Sequence, residues 1–262
     1  MKVLDPREKN ANKGDFGTVL IMGGAPGMAG APLMAAQSAL RTGAGKVIIA
    51  TDPSHAACLI TSFPNIMCYG VRDARELPTL LKLSTHIVVG PGLGQTAWSH
   101  ALLTAVLSQH LPMVVDADAL NILAKQSITR EHWILTPHVG EAARLLDCSV
   151  DDINADRESA IIALQKKYGG VIVLKGAGTL ITDKNHQPVT CHAGNPGMAS
   201  AGMGDVLSGV IAALMAQGLS LFEAAELGVN IHAKAGDLAA IDGMRGMIAT
   251  DLLPFIRQLV NG

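Results

Sequence analysis

Short apolar runs rich in β-branched residues recur along this chain, and stretches of helical length separate most of them. The runs fall at residues 18–22, 46–50, 86–89, 113–115, 133–135 and 171–174. Between them lie Ala- and Leu-rich segments such as 29–41, 97–109 and 154–167. The runs are continuous and do not alternate with polar residues, so both faces of each strand need a cover. This alternation predicts an α/β fold, a three-layer α/β/α sandwich with a mainly parallel central sheet. From Thr179 the spacing shortens. Residues 179–183 and 188–192 flank a polar 184–187 segment, which predicts an antiparallel hairpin at the sheet edge. Helices over 205–217 and 220–240 follow. No Ser-, Pro- or charge-rich stretch divides residues 1–262, so a single domain is expected.

Composition narrows the function classes. With 49% hydrophobic and 16% charged residues, the chain needs a large interior or a subunit interface, and disorder is excluded. A net charge of -2 with no basic block, and only 3% aromatic residues, argue against a nucleic-acid partner. The uncharged run 206–222 falls short of a membrane span, contains Gly209 and Gly218, and is bounded by Asp205 and Glu223, so it is read as a buried helix. The scattered cysteines Cys58, Cys68, Cys148 and Cys191 form no CxxC pair, which suits buried thiols in a reducing compartment. Residues 1–15 carry charges of both signs and lack the apolar centre of a signal peptide, so a cytoplasmic location with no membrane partner is expected.

In parallel sheets, ligands bind beyond the carboxyl ends of the strands. Here the residues after each run are informative. Gly23-Gly24 and Gly27 to Gly30-Ala31 follow the first run, and Gly90-Pro91-Gly92-Leu93-Gly94 follows the third of those above. Then come Asp116-Ala117-Asp118, Thr136-Pro137-His138 with Glu141, and Lys175-Gly176-Ala177-Gly178-Thr179. The two early glycine loops are candidates to hold a substrate from two sides. Neither a GxGxxG fingerprint nor a Walker A sequence is present, since Gly43-Ala44-Gly45-Lys46 runs into Val47. No GxSxG occurs either; Met198 stands two residues before Ser200.

The densest signal is the segment from Gly194 to Asp205, which runs straight into an apolar helix. Glycines at 194, 197, 202, 204 and 209 exceed what a helix cap needs, and glycine backbone before a helix start suits a phosphate. Asp205 is a plain N-cap on one reading and a general base facing that anion hole on the other. The helix dipole is expected to favour its ionised form. A weak base of this kind works best on an alcohol attacking a phosphoryl group. His138 is either a helix cap or a site residue. Asp116, Asp118 and Glu141 are candidates to hold Mg²⁺ through water, with surface exposure the competing account of at least one of them. Lys175 either offsets phosphate charge or is simply exposed. His186, His192 and His232 show no metal-ligand spacing.

Taken in order, these motifs resemble a known family. Lys13-Gly14-Asp15-Phe16-Gly17, the glycines from Gly23 to Gly30, Ala39 to Gly45, Gly90 to Gly94, Asp116 to Leu120, Thr136-Pro137-His138 with Glu141, Lys175-Gly176 with Thr179, and Asn195 to Asp205 cover nearly the whole chain. Together they are similar to the ADP-dependent (S)-NAD(P)H-hydrate dehydratases, a ribokinase-like family often fused to an NAD(P)H-hydrate epimerase. The resemblance implies a ribokinase-like fold, ADP or ATP as co-substrate with Mg²⁺, hydrated NADH or NADPH (NAD(P)HX) as substrate, and a homo-oligomer, often a tetramer. It implies that Lys175, Gly176, Ala177, Gly178, Thr179 and Gly204 hold the adenine nucleotide. It also implies that Ala31, Gly94, His138 and Asp205 contact the hydrated nicotinamide nucleotide, with Asp205 the catalytic base. Asn12 stands where the family often has His, and Met203 where Thr is common. No epimerase motif is seen, so no epimerase activity is expected.

The expected chemistry joins both lines. Hydroxide leaves poorly and phosphate leaves well, so a kinase-like site that phosphorylates the ring hydroxyl allows phosphate to depart and the ring double bond to return. Two other readings stay open: a kinase acting on a hydroxymethyl group of a vitamin precursor, and a non-catalytic adenine-nucleotide sensor.

Overall fold

The computed structural model describes Leu4, residues 6–126 and residues 128–262. Part of the 1–15 segment read for a leader therefore lies outside the described residues. One sheet contains β1 (Thr18–Met22), β2 (Lys46–Thr51), β3 (Met67–Gly70), β4 (His86–Val89), β5 (Met113–Val115), β6 (Trp133–Leu135), β7 (Val171–Leu174), β8 (Thr179–Thr182) and β9 (Val189–Cys191). Its order is β3-β2-β1-β4-β5-β6-β7-β8-β9. Neighbours from β3 to β7 pair in parallel, and β8 and β9 add the antiparallel edge.

The helices are α1 (Gly30–Thr42), α2 (Ala56–Ser62), α3 (Leu77–Leu83), α4 (Ala97–Leu107), α5 (Ala117–Leu123), α6 (Val139–Leu146), α7 (Val150–Ala155), α8 (Arg157–Tyr168), α9 (Met203–Ala216), α10 (Leu221–Ala239) and α11 (Leu252–Leu259). Alternation of side chains along each strand divides the core in two. Val19, Ile21, Val88, Val114 and Ile134 meet α1, α2, α9, α10 and α11 on one face. Leu20, Met22, Ile87, Val89, Met113 and Trp133 meet α3 to α8 on the other. The three-layer α/β/α expectation holds. Among the described residues no helix is long and apolar enough to cross a membrane; 206–222 instead contributes Val206, Leu207 and Val210–Leu214 to the core.

Two differences from the sequence reading matter. The helix expected over 154–167 is interrupted at Asp156, whose extended φ of -150° ends α7 and whose side chain accepts from Ser159 N to start α8. Cys68 and Cys191 are buried, but Cys58 and Cys148 are exposed, so the expectation of four buried thiols fails for two.

The register aligns the strand ends. Met22 pairs with Val89, Val89 with Val115 and Val115 with Leu135, so Gly23, Gly90, Asp116 and Thr136 emerge side by side. The chain also reverses its direction of travel across the sheet between β1 and β4, the usual place for a ligand crevice.

Candidate active site

At that switch point the two glycine loops pack on each other. Gly24 N donates to Pro91 O at 3.1 Å and Ala25 N to Gly92 O at 2.7 Å. A Cβ on Gly23 would lie 1.9 Å from Pro91 O, and one on Gly90 1.8 Å from Asp116 O. These glycines serve backbone approach, and the two loops meet along one wall. Gly27 and Gly30 differ, because a Cβ on either would meet nothing within 4 Å. Ala31, in the first turn of α1, lies with its Cβ 3.2 Å from the Cβ position of Gly92, and Gly94 N donates to Asp118 Oδ2 at 2.8 Å. Ala31 and Gly94 thus share this wall, and Asp118 is occupied in tying it.

The neighbouring strand ends supply a buried charged cluster. Asp116, 1% exposed, accepts from Lys175 Nζ at 2.6 Å and from Ser208 Oγ at 2.8 Å. Burial alone would raise its pKa. The Lys175 charge and hydrogen bonds from Lys175, Ser208 and Thr136 outweigh burial and hold it below the usual range. Burial likewise opposes the charged form of Lys175, but Asp116 and Glu141 win and raise it. Lys175 is therefore a cation in a paired cluster, not an exposed side chain. Glu141 lies 3.8 Å from Lys175, only 5% exposed, with its pKa raised by burial and then by the Asp116 charge. Surface exposure thus accounts for neither Asp116 nor Glu141.

His138 is the N-cap of α6. Its Nδ1 accepts from Gly140 N at 3.0 Å and Glu141 N at 3.3 Å, while His138 N donates to Glu141 Oε2. Burial and then Lys175 and Arg144 lower its pKa, so the neutral ring carries its proton on Nε2, 3.4 Å from Glu141 Oε1. It is a cap and a member of the cluster at once.

Gly202, at φ +88°, turns the chain into α9. Gly204 follows, and a Cβ there would lie 3.3 Å from Lys175 Nζ and 3.5 Å from Asp116 Oδ2. The first-turn amides of α9, which lack intrahelical acceptors, thus begin beside the ion pair. Asp205 occupies the same turn. Burial and then Asp116 raise its pKa to about 7, with Asp118 and Glu141 adding and Lys175 opposing. The expectation that the helix start keeps it firmly ionised is corrected: desolvation and three nearby carboxylates outweigh a dipole effect of about 1 kcal/mol.

The glycine count also needs correction. A Cβ on Gly209 would lie 2.1 Å from both Ala35 O and Ser38 Oγ, so this glycine lets α9 approach α1. Gly197 abuts Met244, and Gly194 N is held by Asp237. Only Gly202 and Gly204 stand at the helix start itself. Across the cluster, Gly176, Ala177 and Gly178 form the loop between β7 and β8, closed by Thr179 Oγ1 donating to Gly176 O at 3.0 Å.

Ser208 was not among the candidate residues read from the sequence, and Thr136 was named there without a partner; both hydrogen-bond to Asp116. Ser208 was detectable as the one hydroxyl in an apolar helix, three residues from Asp205 and so on its face. Two cavities lie away from this cluster, about 450 Å³ beside α11 and about 330 Å³ at the β8–β9 turn; neither is lined by a cluster residue. Chemistry, not volume, marks the site. Among the described residues no group of three His, Cys, Asp or Glu side chains is arranged to hold a metal directly.

Known proteins share this arrangement of sequence and fold. A family model described as NAD(P)H-hydrate dehydratase matches residues 19–258. The chain belongs to that family. An ADP-dependent (S)-NAD(P)H-hydrate dehydratase of Neisseria meningitidis is 38% identical over 270 residues, covering 99% of this chain and 90% of the relative. A bifunctional NAD(P)H-hydrate repair enzyme of Coxiella burnetii is 52% identical over 260 residues; this dehydratase-family chain spans 53% of its length. In structure, the chain is similar to the ADP/ATP-dependent NAD(P)H-hydrate dehydratase of Bacillus subtilis co-crystallised with ATP and Mg²⁺, with a TM-score of 0.87 and 26% identity over 98% of this chain and 93% of that one. A ribokinase-like superfamily protein of Enterococcus faecalis matches with a TM-score of 0.88 and 28% identity over 99% of this chain and 90% of that one, so the fold is ribokinase-like.

Proposed function

We propose that this chain dehydrates the S-epimer of hydrated NADH or NADPH back to the reduced cofactor, consuming ADP or ATP. The observation that carries the reading is the first turn of α9: Gly204 and Asp205 stand against a buried Lys175–Asp116 pair in a chain of this family. In this reading residues 1–262 act as one domain.

Lys175, Gly176, Ala177, Gly178, Thr179 and Gly204 bind the adenine nucleotide, and Ala31, Gly94, His138 and Asp205 bind the hydrated nicotinamide nucleotide. Asp205, with a pKa of about 7, is deprotonated in useful amount near neutrality yet basic enough to accept a proton. It takes the proton of the ring hydroxyl as that oxygen bonds to the terminal phosphorus, and the phosphorus–oxygen bond to the nucleotide breaks. The carbon–oxygen bond of the phosphorylated ring then breaks, phosphate leaves with its electron pair, and loss of a proton from the adjacent carbon restores the double bond. Lys175 and the α9 amides stabilise the negative charge on the moving phosphoryl group.

Mg²⁺ fits this donor set through one carboxylate. Glu141 is buried, and Lys175 sits closer to Asp116 than to it, which leaves Glu141 short of positive charge. Glu141 would hold Mg²⁺ carried on the nucleotide phosphates, where the ion supplies charge neutralisation. We extend the proposal to a cytoplasmic homotetramer; exposed Ile241, Met244 and Ile248 supply apolar surface for assembly.

The test mixes protein, ADP, Mg²⁺ and hydrated NADH and follows reduced-nicotinamide absorbance. Asp205→Asn should abolish the signal while nucleotide binding persists. A stable phosphate ester from an unrelated alcohol, without dehydration, would favour the kinase reading. ADP binding without any turnover would favour the sensor.

A further inference from the structure

Arg157 occupies a position that local electrostatics disfavour. It is the first residue of α8, where the helix presents partial positive charge and a cation is unwelcome. Burial lowers its pKa, and no carboxylate contributes to offset that. A residue that breaks local rules without a local benefit usually serves something else.

Its guanidinium reaches the loop after β7. Nη1 donates to Ala177 O at 2.6 Å, and Nη2 donates to Leu174 O at 3.1 Å and Lys175 O at 3.4 Å. Nε is buried without a partner among the described residues. Gly176, at φ +148°, makes room for this clasp, since a Cβ there would lie 3.0 Å from Nη2. In a trans peptide the N–H points opposite to the C=O before it. Drawing the carbonyls of Lys175 and Ala177 toward α8 therefore turns the amides of Gly176 and Gly178 away from it. Among the described residues neither amide has a protein acceptor, whereas Lys175 N donates to Pro137 O. Two free donors on a glycine turn, backed by an unneutralised cation, form a concavity for an anion.

We propose that Arg157 is a positioning residue for nucleotide binding, holding the Gly176–Gly178 turn so that its free amides face a nucleoside diphosphate or triphosphate. The inference rests on the reading of residues 175–179 as the nucleotide loop. It adds a residue to which neither the motifs nor the family match assigns a role, and the role is indirect, because Arg157 acts by shaping the loop.

The experiment uses the full chain with ADP as probe. Arg157→Met keeps the aliphatic stem and removes every donor. It should weaken ADP binding measured by calorimetry about tenfold or more and raise the KM for ADP in parallel. The kcat and the KM for hydrated NADH should stay within about twofold, a split that general loss of structure would not produce. Arg157→Lys, which keeps the charge but not the fork, should recover part of the loss. Unchanged ADP affinity in Arg157→Met overturns the proposal, as does a parallel fall in kcat and both affinities. If Arg157→Met does not fold, Arg157→Lys decides: several-fold weaker ADP binding supports the clasp, and wild-type binding overturns it. Gly178→Val, which strains a φ of +67°, separates the two levels. Weaker ADP binding there with none in the Arg157 variants sinks only the clasp, and no effect in either sinks the loop reading too.

Discussion

Asp205→Asn should inactivate the protein and stabilise it in the same stroke. The folded carboxyl has a pKa of about 7, against 3.8 without its surroundings. Below pH 3.8 both folded and unfolded forms hold the proton, and Asp205 costs nothing. Between the two values the unfolded chain has released its proton while the folded site retains it, so stability falls as pH rises. Above 7 the full cost is present. Three pH units at 1.36 kcal/mol each give about 4 kcal/mol as an upper bound, and relaxation of the site brings this to roughly 2–4 kcal/mol. Asparagine is neutral throughout and escapes the cost. For a chain of this length the unfolding entropy is about 0.55 kcal/mol per degree, so the Tm at pH 8 should rise by roughly 4–7 °C. The assay is thermal unfolding of wild type and variant in metal-free buffer from pH 4 to pH 8. The gain should be near zero at pH 4 and grow toward pH 7. A variant no more stable than wild type at pH 8, or a gain independent of pH, would refute the reasoning.

Other outcomes follow from the same geometry. Asp116→Ala strips Lys175 of its 2.6 Å partner in a buried site and should cost about 3 kcal/mol in urea unfolding. A double variant with Lys175→Met should recover part of that loss, and strict additivity would show that the two do not interact. Gly209→Ala forces a Cβ against Ala35 O and Ser38 Oγ, so it should destabilise by roughly 1–3 kcal/mol while leaving ADP affinity in the folded protein intact. Because Asp205 must be deprotonated to act, kcat/KM should fall as pH drops below about 7, approaching tenfold per unit. A flat profile from pH 6 to pH 8 would remove it as the base.

The layers of the fold were legible because strands covered on both faces leave continuous apolar runs. β3 escaped notice because Met67–Gly70 lies at the sheet edge with Met67 and Tyr69 exposed, and so lacks the buried run that marked the others. The break at Asp156 was hidden because residues 154–167 read as one helical pattern on both sides of it. In the site, the polar groups after each strand were visible from position alone. Their partners were not. Glycine announces a close approach without saying to what, so Gly209 was assigned to phosphate when it serves α1. Asp205 was judged by its own helix, but its pKa is set with the help of Asp116, Asp118 and Glu141, which lie on the segments that follow β5 and β6. Ser208 and Arg157 act across long sequence separations, on Asp116 and on residues 174–177, and their roles are tertiary in origin.

The proposed mechanism depends on the ring hydroxyl leaving as phosphate. Hydrated NADH carrying ¹⁸O in that hydroxyl, turned over with ADP, tests it directly. One labelled oxygen in the inorganic phosphate, formed in equal amount with AMP and NADH, is the predicted result. Label recovered in water, with none in phosphate, would contradict it.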